Sequence, residues 1–246
     1  MGSRLRVLAR VVMLCLLTAA VAGSGCRTVR ERAEDSLRQA LPQLVGPAAE
    51  YRVSIDGSSR DLRHGRADRV RVIGRQVRAR GLPALAELQL DVHDLIIDLE
   101  RGVVVSAGAA SLVASLDDAE LSRLLNDRVR AWRRKRVRSR LGFVRVEGWI
   151  EAGSLVLRGS SDYALSVRDG VEIWATPTRV AFQGAQAGVP ARVRTRAAAV
   201  LNPVYTLAED PLRIRLRRAE PLEGRVRLVG TFDPTGLQLA TDRASG

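Results

Sequence analysis

The stretch YRVSIDGSSRDLRHGRADRVRVIGRQVRARGLPALAELQLDVHDLIIDL (Tyr51–Leu99) decides the fold class. In its first six residues Tyr51, Val53 and Ile55 alternate with Arg52, Ser54 and Asp56. Successive side chains of an extended chain point to opposite faces, so this pattern predicts a strand with one apolar and one wet face. The same period of two recurs in Val70-Arg71-Val72, in ELQLDV through Leu88, Leu90 and Val92, and in LIIDL through Ile97 and Leu99. Turn formers separate these runs: Asp56-Gly57, His64-Gly65, Gly81 with Pro83, and Arg101-Gly102. Parallel strands covered on both sides read as continuous apolar runs, so strict alternation predicts antiparallel pairing with one face to water.

Toward the C-terminus the alternation continues from Val103 to Leu116, and then the period changes. SLDDAELSRLLNDRVRAWRRKRV, starting at Ser115, predicts the best helix in the chain. Asp117 or Asp118 can cap it, Glu120 sits in the first turn, and arginines crowd the last turns where the helix dipole favours cations. At about 100° per residue Leu121, Leu124, Leu125, Val129 and Trp132 share one side, and the stripe stops at Lys135 and Arg136. The overlapping run RVRAWRRKRVRSR (Arg128–Arg140) holds eight basic residues among thirteen. It is predicted to overhang the core as the basic second half of that helix. Beyond Leu141-Gly142 alternation returns through Val144, Val146 and Ile150; Leu155 and Leu157; Tyr163, Leu165 and Val167; Val171, Ile173 and Ala175; Val180 and Phe182. This predicts a meander of short strands. RVRTRAAAVLNPVYTL suggests a second helix or turn ended by Asn202-Pro203, LRIRLRR another strand, and RVRLVGTF with GLQLAT a last hairpin around Asp233-Pro234.

Toward the N-terminus, RTVRERAEDSLRQALPQLVG spaces Val29, Ala33, Leu37, Leu41 and Leu44 as a short amphipathic helix, ended by Pro42 and Gly46. Before it, Arg4, Arg6 and Arg10 precede an apolar run from Val11 to Ala22 and small residues ending at Cys26, the layout of an export signal. The run is too short for a hydrocarbon core of roughly 30 Å. Cleavage after Ala20-Val21-Ala22 or at the lipobox-like Gly23-Ser24-Gly25-Cys26 fits the residues. Lipidation at Cys26 is favoured, because the only other cysteine, Cys15, leaves with the signal (residues 1–25) and the mature thiol then has no disulfide partner. An unmodified thiol beside an ordinary cleavage site is the plainer reading. Residues 26–246 are expected to form a single domain, since 246 residues with 46% hydrophobic content suffice for one good core.

The formal charge is +13; losing the three signal arginines leaves 13 − 3 = +10. Such an excess favours anionic partners, either nucleic acid or acidic head groups. Export argues against nucleic acid, and so does an aromatic content of 4%, which supplies few stacking platforms. No catalytic constellation stands out. The two histidines, His64 and His93, do not make a convincing metal set, so neither metal nor cofactor is expected. Gly159-Ser160-Ser161-Asp162 reads as a turn and not a nucleophile elbow, Asp117-Asp118 as a cap and not a dyad, and phosphate-cradling glycine patterns are absent. An enzyme has no support.

What remains abundant is apolar surface on one side of a long antiparallel sheet, with helices to line or close it. An ordinary sheet-on-helix core accounts for this; a rolled sheet partly filled by acyl chains accounts for it equally. The residues resemble the LmeA-like bacterial envelope proteins, described as phospholipid-binding and related in shape to tubular lipid-binding (TULIP) domains. Three pieces carry the resemblance: Tyr51–Leu99; VVSAGAASLVASLDDAELSRLLN, similar to the family's strand leading into its helix; and VLNPVYTLAEDPLRIRLRRAEPLEGRVRLVGTF, similar to its Asn-Pro turn and closing strands. The residues from Asp127 to Pro190 match less well, and the arginine density departs from the family. The resemblance implies an α+β fold, a long, strongly curved antiparallel sheet wrapped around one or two helices, in the cell envelope. It also implies phospholipid as ligand in an apolar groove. Its lining would be Val53, Ile55, Val70, Val72, Leu88 and Leu90 from strands and Leu121, Leu124, Leu125, Val129 and Trp132 from the helix. Arg133, Arg134 and Arg136 would meet phosphate head groups of an anionic membrane. The rival expectation is an envelope lipoprotein with a filled core whose arginine face docks a protein or an anionic polymer.

Overall fold

The structure is a computed structural model that describes residues 28–78, 82–99, 103–128, 132–152, 155–183, 202–207 and 213–235. The chain divides into two compact units, residues 1–113 with 231–246, and residues 114–230.

In the first unit, helix α1 (Val29–Leu44) opens with a capping box. The Thr28 hydroxyl accepts from the Glu31 amide at 3.2 Å while the Glu31 carboxylate accepts from the Thr28 amide at 2.9 Å, which satisfies two of the helix's orphan donors. Pro42 lies inside the last turn instead of ending the helix, which runs two residues further. Strand β1 (Glu50–Asp56) follows, then a one-turn helix α2 (Ser59–Arg63) that the turn-rich sequence had not announced, capped by Ser58. Strands β2 (Arg66–Val77), β3 (Leu85–Asp98) and β4 (Val103–Ser106) complete this part, and β5 (Ala110–Asp117) begins in it. The order is β1-β2-β3-β5, with β4 paired to β3. ELQLDV and LIIDL, read as separate strands, are one fourteen-residue β3. β1–β2, β2–β3 and β3–β4 are antiparallel, as the alternation predicts.

Register puts the apolar residues in rows. Val53 faces Val72, which faces Leu90; Ile55 faces Val70, which faces Val92. A third row, Tyr51–Gly74–Leu88, explains its glycine: a Cβ on Gly74 would lie 2.7 Å from the Tyr51 ring and 2.6 Å from Val77. The ring therefore lies across the bare backbone, and the Tyr51 hydroxyl donates to the Gly46 carbonyl at 2.7 Å, just past α1. Burial pushes that hydroxyl's pKa up to about 12. Helix α1 is tied to β1 by Glu34, whose carboxylate accepts from the Ile55 amide at 3.0 Å, and by Arg30, which donates to the Gly57 carbonyl.

The second unit takes the end of β5, then helix α3 (Asp118–Arg128) and strands β6 (Trp132–Arg140), β7 (Phe143–Ala152), β8 (Leu155–Arg168), β9 (Glu172–Gln183), β10 (Tyr205–Thr206), β11 (Arg215–Leu222) and β12 (Arg225–Thr231). Five of these form an antiparallel sheet in the order β10-β9-β8-β7-β6, and β5-β12-β11 run side by side. The fold is α+β, dominated by antiparallel strands, with one sheet strongly curled into a half-barrel. The core of this unit is Val137, Val144, Val146, Tyr163, Ala175 and Val226, against which Leu121, Leu125, Leu165, Val204 and Leu228 pack.

The long basic helix is corrected. Helix α3 ends at Arg128, and Trp132–Arg140 is a strand. Asp117 is the cap, accepting from the Glu120 amide at 2.7 Å. Asp118, Ser122 and Asn126, spaced four apart on one side of the helix, are committed to the strand that returns beside it. The Ser139 amide donates to Asp118 Oδ1 at 2.8 Å, the Val137 amide to Ser122 Oγ at 2.9 Å and the Lys135 amide to Asn126 Oδ1 at 3.1 Å. Asn126 Nδ2 donates back to the Lys135 carbonyl at 3.1 Å. A strand alternates where a helix cannot: Lys135, Val137 and Ser139 are buried while Arg134, Arg136 and Arg140 are exposed. The break in the apolar stripe at Lys135 was a change of period, not the end of a core-facing stripe.

β11 and β12 are joined around Glu223-Gly224 and lie side by side; the hairpin expected around Asp233-Pro234 is not tested, because its second strand falls outside the described residues. GLQLAT, the helix expected near 192–201, Val129, and residues 1–27 with Cys26 lie outside the described residues. No described helix is long and apolar enough to cross a membrane.

Candidate functional site

Asparagine side chains pair with backbone at β6 and at β9 of the five-stranded sheet. On one edge Asn126 pairs with the backbone of Lys135, as above. On the other, Asn202 accepts from the Ala175 amide at 2.7 Å and donates to the Ala175 carbonyl at 2.9 Å, so its amide stands in for a strand residue beside β9, where the two-residue β10 continues the pairing. An open edge is a template for further strands; here polar side chains and a short strand blunt it. A register shift between Arg133 and Arg136, with Arg134 at φ 50°, bends β6 further from pairing geometry.

The five-stranded sheet has two faces, an inner apolar one and an outer polar one. On the inner face Leu121, Leu124 and Leu125 of α3 are each half-buried, so the helix keeps part of its apolar side uncovered while Leu121 and Leu125 touch the core. Ser139, 1% exposed, carries the one buried side-chain oxygen without a hydrogen-bond partner among the described residues. Tyr163, at the centre of the same core, has its hydroxyl pKa raised by burial, against a lowering hydrogen bond from Ser161.

The outer face is read off the register. One cross-strand row is Arg138–Arg145–Asp162–Arg179, the next Arg136–Glu147–Ser160–Ala181, and then Trp149 beside Arg158. Arg145 clasps Asp162 with two bonds, Nε to Oδ1 at 2.7 Å and Nη2 to Oδ2 at 2.9 Å. That hydrogen bond, followed by the Coulombic attraction, raises the guanidinium pKa still higher. Arg145 also lies 5.6 Å over the Phe143 ring. A recess of about 140 Å³ is lined by Arg145, Ser160, Asp162, Arg179 and Ala181.

The first unit has a comparable clasp. Asp91, 6% exposed, accepts from Arg69 at 2.7 and 2.5 Å and from Arg71 at 3.2 and 3.3 Å, with His93 Nε2 3.3 Å away. The Arg69 hydrogen bond chiefly lowers its pKa, over the opposing effect of burial. His64 instead meets the Arg60 carbonyl at 2.7 Å. No group of metal-ligating side chains occurs among the described residues.

The structure thus gathers the residues expected to line a groove into two sets, one in each unit. Val53, Ile55, Val70, Val72 and Leu88 are buried and Leu90 is half-buried on one face of the first sheet. Leu121, Leu124 and Leu125 lie on α3. Trp132 starts β6 opposite Ile150 instead of lying in the last turn of a helix. Arg133, Arg134 and Arg136 belong to that edge strand; Arg134 and Arg136 are exposed. Arg138, Arg145, Arg158, Arg179 and Trp149 were not singled out from sequence. The signal was present: they occupy the alternate positions to Val144, Val146 and Val180, which the strand reading used only for the apolar side.

Residues 26–231 match the family described as LmeA-like phospholipid-binding. The chain belongs to the LmeA-like phospholipid-binding family. Membership covers both units and extends to the last described strand, so it includes the inner faces, the basic strand β6 and the outer face alike. Searches of curated proteins and of solved structures each returned no match.

Proposed function

We propose that this protein is an exported, non-enzymatic component of the bacterial cell envelope that binds and carries phospholipid, held at a membrane through a lipidated Cys26. Membership of the LmeA-like family across residues 26–231 carries the reading, and the half-covered leucines of α3 support it. Residues 26–246 act as one lipid-binding domain. In the first unit Val53, Ile55, Val70, Val72, Leu88 and Leu90 supply an apolar face, and in the second Leu121, Leu124 and Leu125 supply another; acyl chains lie against the part of each that side chains leave uncovered. Val129 and Trp132, which follow α3 in the sequence, belong to the same proposed lining. Head groups sit outside this apolar space, where Arg133, Arg134 and Arg136 give β6 a positive charge that an anionic membrane offsets.

The experiment is organic extraction of the protein purified without detergent from its export compartment, followed by mass spectrometry of the lipid. Stoichiometric phospholipid is expected from the wild type and a loss of at least half from Leu121→Asp/Leu125→Asp. A lipid-free extract would return the chain to the scaffold reading.

A further inference from the structure

We infer that the outer face of the five-stranded sheet is a docking surface for the anionic phospholipid bilayer, with Trp149 at head-group depth and the recess beside Arg179 receiving one lipid phosphate. The inference rests on the phospholipid reading and deepens it, by assigning a membrane-contacting face to residues away from the apolar lining.

Three observations carry it. The first is charge. Arg136, Arg138, Arg145, Arg158 and Arg179 share this face with Glu147 and Asp162, and Asp162 is already neutralised by Arg145. Arg138 stands directly opposite Arg145 in the register. Asp162 offsets only one of these two guanidinium charges, so the pair keeps a net positive charge that a bound anion offsets.

The second is the aromatic. Trp149 is 40% exposed and lies opposite Arg158. An amphipathic indole amid arginines matches the head-group layer, where a ring meets acyl chains and its N–H meets phosphate. Exposure of this kind has no role in the sheet's own packing, since Val144 and Val146 on the same strand supply the core contact.

The third is the recess of about 140 Å³ between Arg145, Ser160, Asp162, Arg179 and Ala181. Arg179 is exposed and forms no ion pair among the described residues. Its guanidinium fork and the Ser160 hydroxyl offer donors from two sides to a phosphodiester, which arginine recognises better than lysine does. Asp162 does not repel that phosphate as a bare carboxylate would, because both of its oxygens are held by Arg145. A four-strand-wide face presenting both arginines and an exposed indole suits a bilayer surface; a polymer groove would need no exposed apolar side chain.

The test compares two full-chain triple variants of equal net charge. Arg138→Glu/Arg158→Glu/Arg179→Glu alters the proposed face, and Arg217→Glu/Arg225→Glu/Arg227→Glu alters exposed positions on β11 and β12. Sedimentation with vesicles of phosphatidylcholine, and of phosphatidylcholine mixed with phosphatidylglycerol, measures docking. The wild type is expected to bind only the anionic vesicles, the face variant to bind them roughly 100-fold more weakly at low salt, and the control to stay within a few-fold. Brominated anionic lipid should quench wild-type tryptophan fluorescence, and Trp149→Phe should remove most of that quenching. Thermal melts of both triples check folding, and Arg138→Gln/Arg158→Gln/Arg179→Gln repeats the loss with a milder change. Equal weakening by both triples, quenching unaffected by Trp149→Phe, or wild-type binding to heparin but not to anionic vesicles would each overturn the inference. Copurifying lipid is measured on the same samples: its presence in the face variant separates docking from lipid binding, and its absence from the wild type counts against the lipid reading alone.

Discussion

Asp91 shows how a residue on the wet face of a sheet becomes structural. It is almost fully buried, yet its two oxygens are shared by Arg69 and Arg71, so the carboxylate stays charged and its pKa falls below the ordinary 3.8. A carboxyl group whose folded pKa is depressed stabilises the fold fully above the unfolded value. That contribution disappears as pH falls from about 3.8 through the lower folded value. Asp91→Asn should therefore cost about 1–2 kcal/mol near neutral pH, with the gap to wild type closing below pH 4; parallel curves in urea denaturation across that range would contradict the account. Gly74 is the opposite kind of residue, needed for what it lacks. Gly74→Ala drives a methyl group against the Tyr51 ring and Val77 and should cost about 1–3 kcal/mol by overpacking. Much of that penalty should vanish in a Tyr51→Ala background, where the ring no longer bars the site.

At the scale of elements, α3 and β6 form one device. The helix turns its leucines to the core and its Asp118-Ser122-Asn126 stripe to the edge strand, so three amides of β6 find acceptors that no neighbouring strand supplies. Ser122→Ala, which strips the Val137 amide of its acceptor beside the core, should cost about 1–2 kcal/mol. Asn126→Ala, at a more exposed site, should cost less, and should selectively speed hydrogen exchange at Lys135. Exchange that rises instead along a helical i,i+4 pattern through Arg136 and Arg140 would contradict the strand assignment. The alternation of Tyr51–Asp56 and of Val144–Val146 was legible because each strand had a clean apolar side. The basic strand was not, because its inward positions are Lys135, Val137 and Ser139: only one is apolar, and the helix stripe before it continued far enough in phase to absorb Trp132. Helix α2 was hidden for a related reason, since its five residues bury only Leu62 and Ser58 doubles as turn former and cap. The pairing of β12 with β11 likewise depended on partner choice, which periodicity does not encode.

At the scale of the whole molecule, the charge of +13 acquires a place. Arginine pairs with carboxylate in both units: Arg145 neutralises Asp162 one to one, while Arg69 and Arg71 together leave the Asp91 clasp with one positive charge in excess. Other exposed arginines stand on β6, β8, β9, β11 and β12, and such an excess of positive surface suits a member of a phospholipid-binding family. The apolar side of each unit was legible residue by residue, through Val53, Val72 and Leu90 in one row and the leucines of α3 in the other unit. What the residues alone left open was whether such faces close on themselves or hold an acyl chain. Native mass spectrometry of the detergent-free wild-type protein addresses that directly. The account predicts a population heavier than the polypeptide by the mass of a phospholipid, which collapses to the bare chain on collisional activation and is depleted in Leu121→Asp/Leu125→Asp. A single species at the mass of the bare chain, unchanged after incubation with phospholipid vesicles, would contradict it.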